Sequence, residues 1–214
     1  MYKTLGLLVA LLLPAAGLAA PHSITLSRNG AMILFHGTPG KRLVSNWNPP
    51  HRKPVIFSTM GPHNAYDCCS GWGIRNPGGS SWRAFPITPT ADATVTEIVE
   101  AIGYIDGTNS VTIALMSDNG GLPGKVLQEK TIKNLDTFGN CCNVAVDKLK
   151  TPVQVTAGTT YWVAALLPKQ QQASTDDAWN FSTENQNSVP AAFYYAGSWI
   201  HVTSQYSAFA VYGN

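Results

Sequence analysis

Acidic residues are missing from the first part of the chain. Between Pro21 and Tyr66 there is no Asp or Glu, and the first acid of all 214 residues is Asp67. The same stretch carries Arg28, Lys41, Arg42, Arg52 and Lys53, so a basic extension precedes a domain in which eight basic residues accompany twelve acids. Five cations spread so thinly make no specific nucleic-acid surface. The extension reads first as a linker, broken by Pro39-Gly40 and Asn48-Pro49-Pro50, and second as an arm for an anionic surface such as cell-envelope polymer. Charge is scarce throughout, at 12% of residues, while Gly and Pro number 19 and 14. That balance is unlike a helical cytosolic enzyme and fits a turn-rich exported β protein whose polar surface is built from Ser, Thr, Asn and Gln.

Catalytic signatures are wanting too. The chain holds no Gly-x-Ser-x-Gly elbow, no His-Glu-x-x-His, no phosphate-binding Gly-rich loop and no helix-loop-helix calcium loop. His22, His36, His51 and His63 lie in the extension or its junction, and only His201 falls late in the domain, so a Ser-His-Asp triad has little to recruit. An amino-terminal copper site would need His22 at position one of the mature chain, which cleavage after Pro21 disfavours. No cofactor is expected. The acid-base candidates that remain are Glu100, Asp176 and Asp177. Asp106, Asp118 and Asn119 could offer calcium their turn oxygens, although such Asx-rich turns commonly form without metal.

Long apolar runs are confined to the start. Lys3, the run Leu7 to Leu13 and the small residues Ala15, Ala16, Gly17, Ala19 and Ala20 form an export signal over residues 1–20, with cleavage after Ala19 or Ala20. Its core falls short of the roughly 20 residues of a membrane span. No later segment is long and apolar enough, and the chain closes on Gly213-Asn214 directly after an apolar run. The mature protein is therefore expected to be soluble, without a transmembrane segment, and secreted or periplasmic. The only four cysteines are two adjacent pairs, Cys68 with Cys69 and Cys141 with Cys142. Export makes disulfides their default reading. Four thiolates also suffice for zinc, but adjacent cysteines are poor chelating spacing. Because neighbouring strand residues point to opposite faces, two bridges between the doublets require at least one doublet in a loop or bulge, and a vicinal ring is the alternative.

What is present reads as strand. Ser110 to Ser117 alternates, with Val111, Ile113 and Leu115 on one face. Thr159 to Leu167 is apolar on both faces, as a covered central strand would be. Turn signals at Asp106-Gly107, Asn119-Gly120-Gly121, Pro123-Gly124, Phe138-Gly139-Asn140 and Ala157-Gly158 separate short segments. Thr94 to Ile105 is ambiguous: Val95, Ile98, Val99 and Ile102 have helical spacing, whereas a strand would place Glu100 on one face with Ile98, Ile102 and Tyr104. The β-rich surroundings favour strand, and an inward Glu100 must then be hydrogen-bonded or have a raised pKa. The expected fold is all-β, an antiparallel jelly-roll-like β-sandwich over residues 55–214, behind a mostly irregular extension over 21–54.

The succession Ile56-Phe57-Ser58, Ser70-Gly71-Trp72-Gly73-Ile74, Ala84-Phe85, Tyr104 to Asn109, Leu115 to Gly124, Phe138 to Cys142, Ala157 to Val163, Trp179-Asn180, Ser198-Trp199 and Phe209 to Gly213 resembles the bacterial secreted domains called choice-of-anchor R. The likeness implies an exported β-sandwich and no established activity. Members often carry a C-terminal anchor, in place of which this chain has its basic N-terminal arm.

The remaining clue is aromatic. Trp72, Trp82, Trp179 and Trp199, with Tyr194 and Tyr195, sit near Gly, Ser and Asn, where an indole can be left on the surface to stack on a sugar ring. Trp162, between Tyr161 and Val163, reads as core. Three functions follow: a non-catalytic binding or adhesion module for carbohydrate or envelope polymer, foremost; a polysaccharide hydrolase or lyase using a carboxylate pair; and a structural envelope or matrix protein.

Overall fold

The computed structural model describes residues 53–75, 81–139, 144–168, 175–184 and 188–214, together with the backbone of three strands at 23–26, 32–35 and 44–46. The export segment 1–20 and the doublet Cys141-Cys142 lie outside the described residues. In chain order the strands are β1 (Ser23–Leu26), β2 (Met32–Phe35), β3 (Val44–Asn46), β4 (Val55–Ser58), β5 (Ala65–Arg75), β6 (Trp82–Ile87), β7 (Ala93–Glu100) and β8 (Ile102–Gly107). They continue with β9 (Ser110–Asp118), β10 (Pro123–Lys133), β11 (Ala145–Val155), β12 (Tyr161–Leu166), β13 (Thr175–Ser182), β14 (Val189–Tyr195), β15 (Ser198–Ser204) and β16 (Phe209–Gly213). A single 3-10 turn at Pro62–Asn64 is the only helical element among the described residues, and no helix there is long and apolar enough to cross a membrane.

Three antiparallel sheets result. The first runs β1-β2-β5-β13-β8 with β3 also on β5, the second β10-β9-β12-β6-β14-β15, and the third β11-β7-β16-β4. The first and third meet at strand ends, where β7 runs on into β8 and β13 meets the start of β16. Ala101 N–H donates to Ala208 O at 3.0 Å, while Asn180 N–H donates to Ala101 O and Ala208 N–H to Asn180 O, both at 2.8 Å. Their joint inner face packs on the second sheet, so Trp179, Ile98 and Phe209 share one core with Phe85, Leu115 and Val163. The fold is an all-β sandwich, as expected.

Alternation explains which residues fill it. On β9, Val111, Ile113 and Leu115 enter the main core, while Ala114 and Met116 belong to a second cluster on the outer face. Strand β12 divides likewise: Val163 and Ala165 point in, Trp162, Ala164 and Leu166 out, and all are buried. The ambiguous segment is strand, broken at Ala101 into β7 and β8. Its helical spacing has a β explanation. Tyr212 opposes Glu97 but the next residue, Gly213, opposes Val95. Thr96 is thus one residue too many for the ladder, which lets Val95 and Ile98, three apart, face the same core.

Strand β5 is the element that sequence reading passed over, since Gly71, Gly73 and the cysteines resemble a loop. It is central: β13 pairs along one edge, and β2 and β3 both pair with β5 from the extension. Gly71 is needed there, because a Cβ would collide with Trp179 O. Between Gly71, opposite Asn180, and Tyr66, opposite Ser182, the ladder is irregular. Cys68 and Cys69 occupy this bulge and are joined to each other as a vicinal disulfide. Asp67 shapes it by accepting from Cys69 N–H at 3.0 Å and from Ser70 Oγ at 2.7 Å.

Candidate functional site

The outer face of the second sheet carries the most distinctive surface. Strand register lines Ala114, Ala164, Ala84 and Ala192 up across β9, β12, β6 and β14. Four small residues in a row leave space above the sheet, and large side chains from the flanking rows fold over it, leaving every alanine buried. Trp162 covers one side, with its Nε1 donating to Asp118 Oδ1 at 2.8 Å. The β9–β10 turn follows it over the sheet. Asp118 Oδ2 accepts from Gly121 N–H at 3.0 Å, and Gly121, at φ +85°, lies so close to His201 of β15 that a Cβ would sit 3.1 Å from its ring.

The other side stays open. Trp82, Tyr194 and Trp199 occupy neighbouring positions on β6, β14 and β15, because Tyr194 opposes both Trp82 and Trp199. Trp82 stacks on Tyr194 with centroids 4.0 Å apart and planes 11° from parallel, and Trp199 packs against both at 6.2 and 5.3 Å. Trp82 and Trp199 are half-buried and line a groove of about 380 Å³ with Met116, Leu166 and Pro168. Its far wall is polar: Thr112, Thr131 and Glu129 face it, the two threonine hydroxyls 2.9 Å apart. An aromatic wall opposite hydroxyls and one carboxylate can stack on the apolar face of a ring while bonding its polar edge.

The other sequence candidates are dispersed. Trp72 and Trp179 sit in the core, their indole N–H groups donating to Gln205 O at 2.9 Å and Ala208 O at 3.0 Å, so neither presents a ring to solvent. Tyr195 is 52% exposed but lies one residue beyond Tyr194 and stacks on Phe193, away from the groove. Asp118 serves its own turn and Trp162, with Asn119 beside it, while Asp106 lies on β8. These three do not converge, and no cluster of metal-ligating side chains occurs among the described residues.

Of the three candidate carboxylates, Glu100 and Asp177 are buried and Asp176 is partly exposed. Glu100 is 0% exposed in the main core, with no hydrogen bond to either oxygen. Burial and then the charge of Asp147 hold its pKa well above the usual range. The strand reading of Glu100 therefore resolves to a raised pKa rather than a hydrogen bond. Asp177 is equally sealed, and burial followed by the Asp176 charge pushes it to about 8. Asp176 pairs with Arg75 at 3.1 Å. Burial raises its pKa, while Arg75 pulls it down and Asp106 pushes it up. Glu100 stands on the third sheet and Asp176 and Asp177 on the first, and both Glu100 and Asp177 are closed off from solvent.

Sequence reading named Trp82 and Trp199 and set Tyr194 beside them. It missed Met116, Leu166, Glu129, Thr112 and Thr131, which alternation on β9, β10 and β12 could have placed on the same face once their pairing was known. The chain matches no protein-family model and has no recognisable relative among curated proteins.

Proposed function

We propose that this chain is an exported, non-catalytic binding module that holds a carbohydrate or related envelope polymer in the groove beside Trp82 and Trp199. The observation carrying this reading is the Trp82–Tyr194–Trp199 cluster, open to solvent along one side of a groove whose opposite wall is Thr112, Thr131 and Glu129. A sugar ring has an apolar C–H face and a hydroxyl rim, and the two walls answer those two surfaces. Enclosure of Glu100 and Asp177 in the core, with Glu129 the one carboxylate lining the groove, favours binding over hydrolysis, because a glycosidase needs two of them facing one accessible bond. The likeness to exported choice-of-anchor domains points the same way, towards a module displayed outside the cell. Pull-down of the purified protein on insoluble polysaccharides and envelope fractions tests the reading, with Trp199→Ala and Trp82→Ala in parallel and product analysis of the same samples. Retention that both substitutions weaken supports it. Retention indifferent to both, or released oligosaccharide, overturns it.

A further inference from the structure

Arg83 follows Trp82 on β6, so its side chain enters the opposite face of the sheet, away from the groove. It is 2% exposed. Its guanidinium carbon lies 4.3 Å from the centroid of the Trp72 ring, which comes from the first sheet, and 4.5 Å from that of Phe193, its neighbour on β14. Both ring faces attract the cation. They do nothing for its five in-plane N–H donors.

The missing counter-ion can be sought by enumeration. All twelve acids of the chain fall among the described residues. The ion pairs among those residues are Lys53 with Glu97, Arg75 with Asp176 and Lys130 with Asp147. None reaches Arg83, and no described residue accepts a hydrogen bond from it. Burial alone lowers its pKa to about 9, which still leaves it a cation at neutral pH. The guanidinium is thus a nearly buried cation whose donors no described acceptor takes up and to which only a narrow contact with solvent is left. On another residue that touches Trp72, a second donor also lacks an acceptor. Gln205 Nε2 is buried and unpartnered, and Gln205 is the residue whose carbonyl accepts the indole N–H of Trp72.

We propose that Arg83, held over Trp72 and Phe193, is a receptor for a carboxylate supplied by an external ligand. The planar fork of a guanidinium matches a carboxylate with two parallel N–H···O bonds, and the two rings fix its orientation. Near-complete burial limits what enters to one small oxyanion group at the tip of a ligand. Uronic acids and small organic acids share that chemistry. The site lies across the sheet from the groove and does not rest on the reading given above.

Thermal unfolding and tryptophan fluorescence of the full-length protein test it, at constant ionic strength, with acetate, glucuronate, glucose, sulfate and chloride as probes. Acetate or glucuronate should raise the melting temperature above the chloride baseline, and glucose should not. A shift with both identifies a bare carboxylate as sufficient, and a shift with glucuronate alone identifies an acidic sugar. Arg83→Met should abolish the shift while being at least as stable as the parent in chloride, since it removes a nearly buried charge that has no acceptor among the described residues. Arg83→Lys keeps the charge, loses the fork and should weaken binding about tenfold or more. It decides the matter should the methionine variant fail to fold. No shift with either carboxylate, an equal shift with sulfate or chloride, or carboxylate binding by Arg83→Lys at parental strength would overturn the proposal.

Discussion

Raising the pH from about 4 to about 8 should make this domain progressively easier to unfold, and Asp177 carries the part that can be quantified. Its side chain enters the core face of β13, opposite Ile74 on β5 and Tyr104 on β8. It is 0% exposed with neither oxygen hydrogen-bonded. Burial, then repulsion by Asp176, moves its pKa from 3.8 to about 8. In the unfolded chain the group ionises near pH 4, whereas the folded chain keeps the proton until about pH 8. Across that window the native state binds more protons, so stability is greatest in acid and is lost as pH rises. Some four units at roughly 1.36 kcal/mol each set an upper bound of about 5 to 6 kcal/mol. Whole domains are stable by about 5 to 15 kcal/mol, so the effect is a large fraction of the total. Glu100, Asp147 and Asp176 are shifted upward as well and steepen the same trend. Asp177→Asn locks in a neutral side chain of the same shape. It should match the parent near pH 4.5 and exceed it by a few kcal/mol near pH 8, read from urea midpoints followed by tryptophan fluorescence. A parental midpoint that climbs with pH through this window, or an asparagine variant with the parental slope, would refute the reasoning.

Trp162→Ala should cost about 3 to 5 kcal/mol, because it empties the cover over four alanines and strands Asp118 Oδ1; chemical denaturation should show Trp199→Ala costing far less. Truncation to begin at Lys53 removes β1, β2 and β3 and leaves one edge of β5 unpaired, so the shortened chain should melt lower and self-associate in size-exclusion chromatography. Alkylation under denaturing, non-reducing conditions should leave Cys68 and Cys69 unlabelled until reductant is added, and Cys68→Ser with Cys69→Ser should change the urea midpoint little, because the bridge closes almost no loop.

Alternation within a strand could be read from the residues; what lies across a strand could not. Val111, Ile113 and Leu115 declared their face directly, and β12 declared that both of its faces were covered. Glu100 was legible as an inward carboxylate once the strand assignment was made. Strand β5 was not legible, because its glycine answers the backbone of β13 and its cysteines fill a bulge, both of which are set by residues more than a hundred positions away. Val95 and Ile98 looked helical for a similar reason: the extra residue that brings them to one face is defined by Gly213 on another strand.

The tryptophans show where the same limit falls on function. Trp72, Trp82, Trp179 and Trp199 share a setting of small and polar neighbours, and nothing local separates them. Pairing does. Trp72 and Trp179 oppose each other across β5 and β13 on the core side, where two backbone carbonyls take their N–H groups. Trp82 and Trp199 both flank Tyr194 on a face that carries alanines instead of a third layer of sheet. On that face Trp162, hydrogen-bonded to Asp118 at the β9–β10 turn, is buried, whereas Trp82 and Trp199 are only half-buried and remain partly available to a ligand. The same strand then divides two chemistries between adjacent residues. Trp82 turns an apolar surface outward, and Arg83, one residue on, carries an unpaired cation inward. A period of two is what lets one short strand serve both faces.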